Sequence, residues 1–151
     1  MLREKINDEL KTAMKAQDQR RVSTLRLVNS ALKNADIEAR GQGKPALGDD
    51  DVLAVLQKMI KQRQESIELY VKGGRNELAE QERAEIKIIS SYLPAQMSEA
   101  EVKSAVAAIV KDIGAAGMKD MGKVMAALKQ RYAGKMDFGK ASPIVKGLLA
   151  G

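Results

Sequence analysis

Apolar positions recur along this chain at the three- and four-residue spacing of an α-helix, almost from end to end. Leu2, Ile6, Leu10, Ala13 and Met14 form a first stripe. After a break near Asp18, Val22, Leu25, Val28, Leu32 and Ala35 form a second. Gly41-Gln42-Gly43-Lys44-Pro45 has the composition of a loop. Asp49-Asp50-Asp51 then sets negative charge at the positive end of a helix dipole. The stripe Val52, Leu56, Met59, Ile60, Ile67, Tyr70 and Val71 follows and runs to Gly73-Gly74. A fourth stripe, Leu78, Ile86, Ile89 and Leu93, is closed by Pro94, because the residue before a proline avoids the helical region. No stretch keeps up the two-residue alternation of a half-buried strand.

Beyond Gln96 the helical elements are shorter. Ser98-Glu99-Ala100-Glu101 reads as a capping box, a Ser cap with a Glu three residues on. Val102, Val106, Ile109, Val110 and Ile113 form one amphipathic helix, broken at Gly114 and Gly117. Asp120 is expected to cap a helix carrying Met121, Val124, Met125, Leu128 and Tyr132, stopped by Gly134. Ser142-Pro143 is expected to open a last helix of about two turns, with proline at its first position. The expected fold class is all-α: an N-terminal four-helix antiparallel bundle-like domain over residues 1–94, then a small three-helix tail domain over 95–151. Short connections favour antiparallel packing in the first part.

The residue inventory narrows the chemistry. Cysteine and histidine are both absent, which removes disulfides, thiolate metal sites, the usual general base and the serine–histidine and cysteine–histidine arrangements. There is no Gly-x-Ser-x-Gly elbow, phosphate loop or dinucleotide fingerprint. Asp49-Asp50-Asp51 reads as a helix start, since a dedicated cation site needs more converging oxygens. Ser90-Ser91 lies within a helical stretch, where serines are surface or packing residues rather than amidase nucleophiles. Met14, Met59, Met121 and Met125 are expected as core filler, although a methionine-lined face also suits a partner helix. No catalytic residue, metal site or cofactor site is expected. No apolar run approaches the ~20 residues of a membrane span, and the first residues lack a signal-peptide core, so the expected location is cytoplasmic and no membrane partner is expected.

Net charge is +6. The two ends are basic and the middle is mildly acidic, an asymmetry that permits an anionic partner at either end. In the tail, Lys119, Lys123, Lys129, Arg131, Lys135, Lys140 and Lys146 face only Asp120 and Asp137. These seven cations are the candidate nucleic-acid contacts. Several lie at helix starts or in the 134–142 loop, where backbone N–H groups also meet phosphate. A solvated charged face is the alternative. Arg26, Lys33 and Arg40, spaced by seven and joined by Arg20 and Arg21, form a rival stripe on the second helix. The aromatic residues are Tyr70, Tyr92, Tyr132 and Phe138, too few for a base-stacking platform. RNA would therefore be met through shape and phosphate contacts.

Four phrases together carry a family resemblance: Ser23-Thr24-Leu25-Arg26-Leu27; Lys61-Gln62-Arg63-Gln64-Glu65-Ser66-Ile67; Tyr92-Leu93-Pro94-x-Gln96; and Met121-Gly122-Lys123-Val124-Met125. The chain resembles the GatB/YqeY family over its whole length, and its layout resembles the stand-alone member. The resemblance implies an all-helical fold whose tail is shared with the B subunit of the aminoacyl-tRNA amidotransferase, where the equivalent tail contacts tRNA. It implies tRNA as a partner, and amidotransferase or aminoacyl-tRNA synthetase components as others. It also brings a label of carbon–nitrogen ligation with glutamine as amide donor, although the catalytic cradle of the amidotransferase B subunit is not in this chain. Within the tail phrase, Lys123 is the implied phosphate contact and Gly122 a point of close approach. Three readings stay open: a tRNA-associated accessory protein without its own catalytic centre, an amidotransferase-like enzyme subunit or helper in carbon–nitrogen ligation with glutamine as amide donor, and a protein-interaction module.

Overall fold

The computed structural model describes residues 1–150. Among the described residues there are seven α-helices, one 3₁₀ turn and no strand, so the all-helical expectation holds. The chain divides into two compact units, Met1–Leu93 and the residues from Pro94 onward.

The first unit holds α1 (Leu2–Lys15), α2 (Gln19–Gly41), α3 (Asp49–Lys72) and α4 (Asn76–Ser90). Between α1 and α2 the chain turns through Gln17, at φ 58°. The Asp18 carboxylate then accepts the Arg21 N–H at 3.2 Å and starts α2. The three aspartates do open α3, and Asp51 Oδ2 accepts the N–H of Gly48 at 2.9 Å. Gly74 stops that helix at φ 73°, a left-handed conformation that costs glycine no Cβ clash. One core gathers residues from all four helices: Ile6; Leu25, Val28 and Leu32; Val52, Leu56 and Met59; Ile89; with Tyr92 beyond α4.

Three expectations fail at the edges of this core. Met14 is about half exposed rather than core filler; α1 ends one residue later, and Ala13 takes the buried position. Val71 is likewise exposed. Finally, α4 stops at Ser90 rather than at Pro94. Tyr92 and Leu93 form a turn whose N–H groups donate to the carbonyls of Ile89 and Ser90, and this turn carries the Tyr92 ring into the core.

The second unit holds α5 (Glu99–Asp112), the 3₁₀ turn (Met118–Asp120), α6 (Met121–Arg131) and α7 (Phe138–Ala150). The capping box forms as expected: Ser98 Oγ accepts the Glu101 N–H at 3.2 Å, and Glu101 Oε1 accepts the Ser98 N–H at 3.1 Å. Val106, Ile109, Val124, Leu128, Met136, Ala141, Val145 and Leu149 make the centre of a second core.

Two local expectations are corrected here. Asp120 stands at the N-cap position of α6 but does not cap it; its carboxylate turns back to the Ala116 N–H at 2.9 Å. The last helix starts at Phe138, so Pro143 lies inside it. Asp137 provides the earlier start, with Oδ1 accepting the Gly139 N–H at 2.8 Å. Ala141, Val145 and Leu149 are buried at four-residue spacing. Their burial holds the helix together across a proline that cannot donate its own hydrogen bond.

Candidate nucleic-acid interface

All seven candidate cations of the tail are exposed. Lys119 sits on the 3₁₀ turn, Lys123, Lys129 and Arg131 on α6, Lys135 in the turn after it, and Lys140 and Lys146 on α7. Helical geometry does not collect them on one face. At roughly 100° per residue, Lys123 and Arg131 lie about 80° apart around α6. On the same count, Lys129 lies about 120° from Lys123 on the other side. Lys140 and Lys146 are about 120° apart on α7 by the same rule. The cations therefore surround α6 and α7 as a positive belt rather than a single patch.

Their partners differ. Arg131 Nη1 meets Asp112 Oδ2 at 3.4 Å, with both side chains about half exposed, a pair of little energetic weight. Lys119 and Lys123 act on Asp120. The Ala116 N–H is the main influence holding that carboxyl below its usual range, and the charges of Lys123 and Lys119 add to it. Lys119, Lys123, Lys129, Lys135, Lys140 and Lys146 have no ion pair among the described residues.

Lys135 stands in a turn that other parts of the unit tie down. Its carbonyl accepts the Met97 N–H at 2.9 Å. Gly134, just before it, has φ 74°, and the Gly134 carbonyl accepts Gln96 Nε2 at 2.7 Å. Gln96 Nε2 also donates to the Pro94 carbonyl at 2.8 Å. The glutamine of the Tyr92-Leu93-Pro94-x-Gln96 phrase is thus a staple that pins the turn presenting Lys135. Its fixed spacing after the proline was the available signal, but its target lies 38 residues away in sequence.

The remaining phrases prove mainly structural. Tyr92 is buried, and its hydroxyl donates to Glu9 Oε2 and accepts from Arg21 Nη2 at 3.3 Å. Arg21 also meets Glu9 at 3.0 Å, and Lys5 Nζ lies 5.9 Å from the ring centre. Burial, then the hydrogen bond to Glu9, pushes the Tyr92 hydroxyl up to about 12. Arg63, from the second phrase, binds Glu85 at 2.9 Å, lies 3.9 Å from Glu82 and donates to the Met59 carbonyl at 3.2 Å. This joins α3 to α4. Burial, then the neighbouring Glu85, raises the Glu82 carboxyl. In the tail phrase, Val124 is fully buried and Lys123 exposed. A Cβ on Gly122 would meet nothing within 4 Å, so no packing within the chain requires glycine there. Ser90 and Ser91 donate to the carbonyls of Lys87 and Ile88, ordinary helix-end contacts. Among the described residues no group of His, Cys, Asp or Glu is arranged to hold a metal ion, and no helix is long and apolar enough to cross a membrane.

Comparison with known proteins bears on this geometry. The model of the Yqey-like protein family matches residues 3–149. A relative from Lachancea thermotolerans, "Altered inheritance of mitochondria protein 41, mitochondrial", is 36% identical over 72% of this chain and 57% of its own length. The protein of the same name from Kluyveromyces lactis is 38% identical over 72% of this chain and 58% of its own. That from Pyrenophora tritici-repentis is 30% identical over 84% and 71%. The chain thus spans under two thirds of the length of the first two. The mitochondrial names of these relatives overturn the cytoplasmic expectation. That expectation rested on the lack of a membrane-span run and of a signal-peptide core, and neither feature distinguishes one aqueous compartment from another.

Proposed function

The chain belongs to the Yqey-like protein family, and from that premise we propose that it is a tRNA-associated accessory protein. In this reading the basic second unit contacts folded RNA, and the chain brings no catalytic centre of its own. The observation that carries the reading is the belt of exposed cations on the 3₁₀ turn, α6, α7 and the turn between those helices, of which Arg131 alone has an ion pair among the described residues. A belt suits a curved, phosphate-lined surface better than it suits one small anion. The scarcity of aromatic side chains favours phosphate and shape contacts over base stacking. We read residues 1–94 as an antiparallel bundle-like domain and 95–151 as the counterpart of the amidotransferase tail. Partners would be tRNA, with amidotransferase or synthetase components beside it. The relatives' mitochondrial names support a mitochondrial setting for this role.

The test is binding of a total tRNA pool across a salt series, by wild type and by a variant with Lys123, Lys129, Arg131 and Lys135 changed to Gln. About four phosphate contacts should give a log–log salt slope near −3, from roughly −0.7 to −0.9 per contact. The variant should lose most of that slope. Identical curves for the two proteins, or no salt dependence, would defeat the reading.

A further inference from the structure

The outward side of α2 is a second basic surface, and its residue pattern differs from that of the tail. Leu25, Val28 and Leu32 face the core. Opposite them run Ser23, Arg26, Ser30, Lys33, Ile37 and Arg40, all exposed. Their spacing alternates strictly between three and four residues. That is the repeat of a coiled-coil seam, which keeps one line of side chains facing a second helix. Arg26, Lys33 and Arg40 occupy one of the two seam positions in three successive heptads, about 10.5 Å apart along the axis at ~1.5 Å per residue. None of the three forms an ion pair among the described residues. Asp36, one helical turn before Arg40, is taken by Arg3 at 2.5 Å and feels Arg40 only as a weaker influence. Ser23 and Ser30 hold the other seam position, where small side chains let a second backbone come close.

Apolar groups are interleaved with this charge. Ile37 on the seam is 67% exposed, and Leu27 at its edge 46%. At the start of α2, an open groove of about 720 Å³ lies among Met14, Gln17, Gln19, Val22, Ser23 and Arg26. Its walls offer thioether and valine surface with a free guanidinium at the rim. A nucleic-acid backbone would leave Ile37, Leu27 and Met14 in water without gain. An acidic amphipathic helix satisfies both kinds of group, since its carboxylates meet the cations and its apolar side chains cover the rest.

We propose that the outward face of α2 docks an acidic amphipathic α-helix of a partner protein, its carboxylates at heptad spacing opposite Arg26, Lys33 and Arg40 and an apolar side chain seated in the groove beside Met14 and Val22. The proposal stands apart from the RNA reading of the tail, and its test separates the two.

The probe is a fluorescein-labelled designed helix of about three heptads, with Leu at one seam position and Glu at the other. A matched peptide carries Lys for Glu. Anisotropy with the full chain should show binding of the Glu peptide and not of the Lys peptide. The variant Arg26→Gln/Lys33→Gln/Arg40→Gln should bind it at least about tenfold more weakly, since the lost charges are those that select the partner. The tail variant changed at Lys123, Lys129, Arg131 and Lys135 should bind it as wild type does. A charge-reversed variant, Arg26→Glu/Lys33→Glu/Arg40→Glu, should now take the Lys peptide. All the substituted positions are exposed, and circular dichroism checks that each variant is folded. Unchanged binding by the triple Gln variant, indifference to peptide charge, or failure of the reversed pair would overturn the proposal. So would loss of tRNA binding in the triple variant without any peptide binding, which would assign the face to RNA.

Discussion

Thr24 is fully buried in α2, and its hydroxyl has no hydrogen-bond partner. Leaving a buried polar group unmade costs about 1–3 kcal/mol, so Thr24→Val, which keeps the branched shape, should stabilise the first unit by about 1 kcal/mol. The midpoint of urea unfolding reads this; a lower midpoint would mean that the hydroxyl contributes to the fold. Tyr92 is the opposite case, a buried phenol whose oxygen is used twice. Tyr92→Phe keeps the ring and removes those bonds, at an expected cost of about 1.5–3 kcal/mol for hydrogen bonds to charged groups. Its pH dependence has a definite sign. The neutral phenol is favoured in the fold, whose value near 12 stands above the ordinary 10. The stability it contributes is therefore complete below pH 10 and is lost as pH rises towards 12. Wild type should lose stability faster than Tyr92→Phe across that window, and one of its three tyrosines should ionise late in an absorbance titration.

At the scale of elements, α3 and α4 are held by an apolar seam and by Arg63 between two half-buried carboxylates. One guanidinium cannot neutralise both. Burial, and after it the neighbouring Glu85, raises the Glu82 carboxyl above its ordinary 4.5. A raised acid favours the fold when protonated, so this contribution is present below the unfolded value and disappears as pH climbs through the folded one. At neutral pH the Glu82 charge is then a net strain on the α3–α4 pair. Glu82→Gln should raise the urea midpoint at pH 7, and the gain should vanish in acid; an equal gain at both pH values would show that charge is not the cause. Two element starts were legible from local signals. The Ser98–Glu101 box and the triple aspartate at α3 involve groups three residues apart or fewer. The start of α7 was not legible, because Ser142-Pro143 is a strong local signal that burial of Ala141, Val145 and Leu149 overrides.

At the scale of the whole molecule, each unit has a core of its own, and no residue belongs to both. A chain of about 60 residues can fold alone with marginal stability. A fragment comprising residues 94–151 should therefore keep a helical far-UV circular dichroism spectrum and melt cooperatively at modest temperature. A featureless, non-cooperative melt would show that the second unit depends on the first. The same division bears on the candidate site. The residue types, the basic excess of the tail and their spread around α6 and α7 follow from the sequence and helix geometry, whereas the tie of the Lys135 turn through Gln96 to Gly134 appears only in the structure.

Periodicity alone determined that this chain is helical, roughly where the helices run and many of the residues that fill the cores, since helix faces are set by spacing along the chain. The lack of cysteine and histidine narrowed its chemistry just as directly. Only the tertiary structure decided that Met14 faces water, that Asp120 turns away from α6, that Tyr92 ties α1 to α2 beyond the end of α4, and that α2 leaves a basic heptad seam uncovered. Each of these depends on which groups approach from distant parts of the sequence, and that is a property of packing rather than of local spacing.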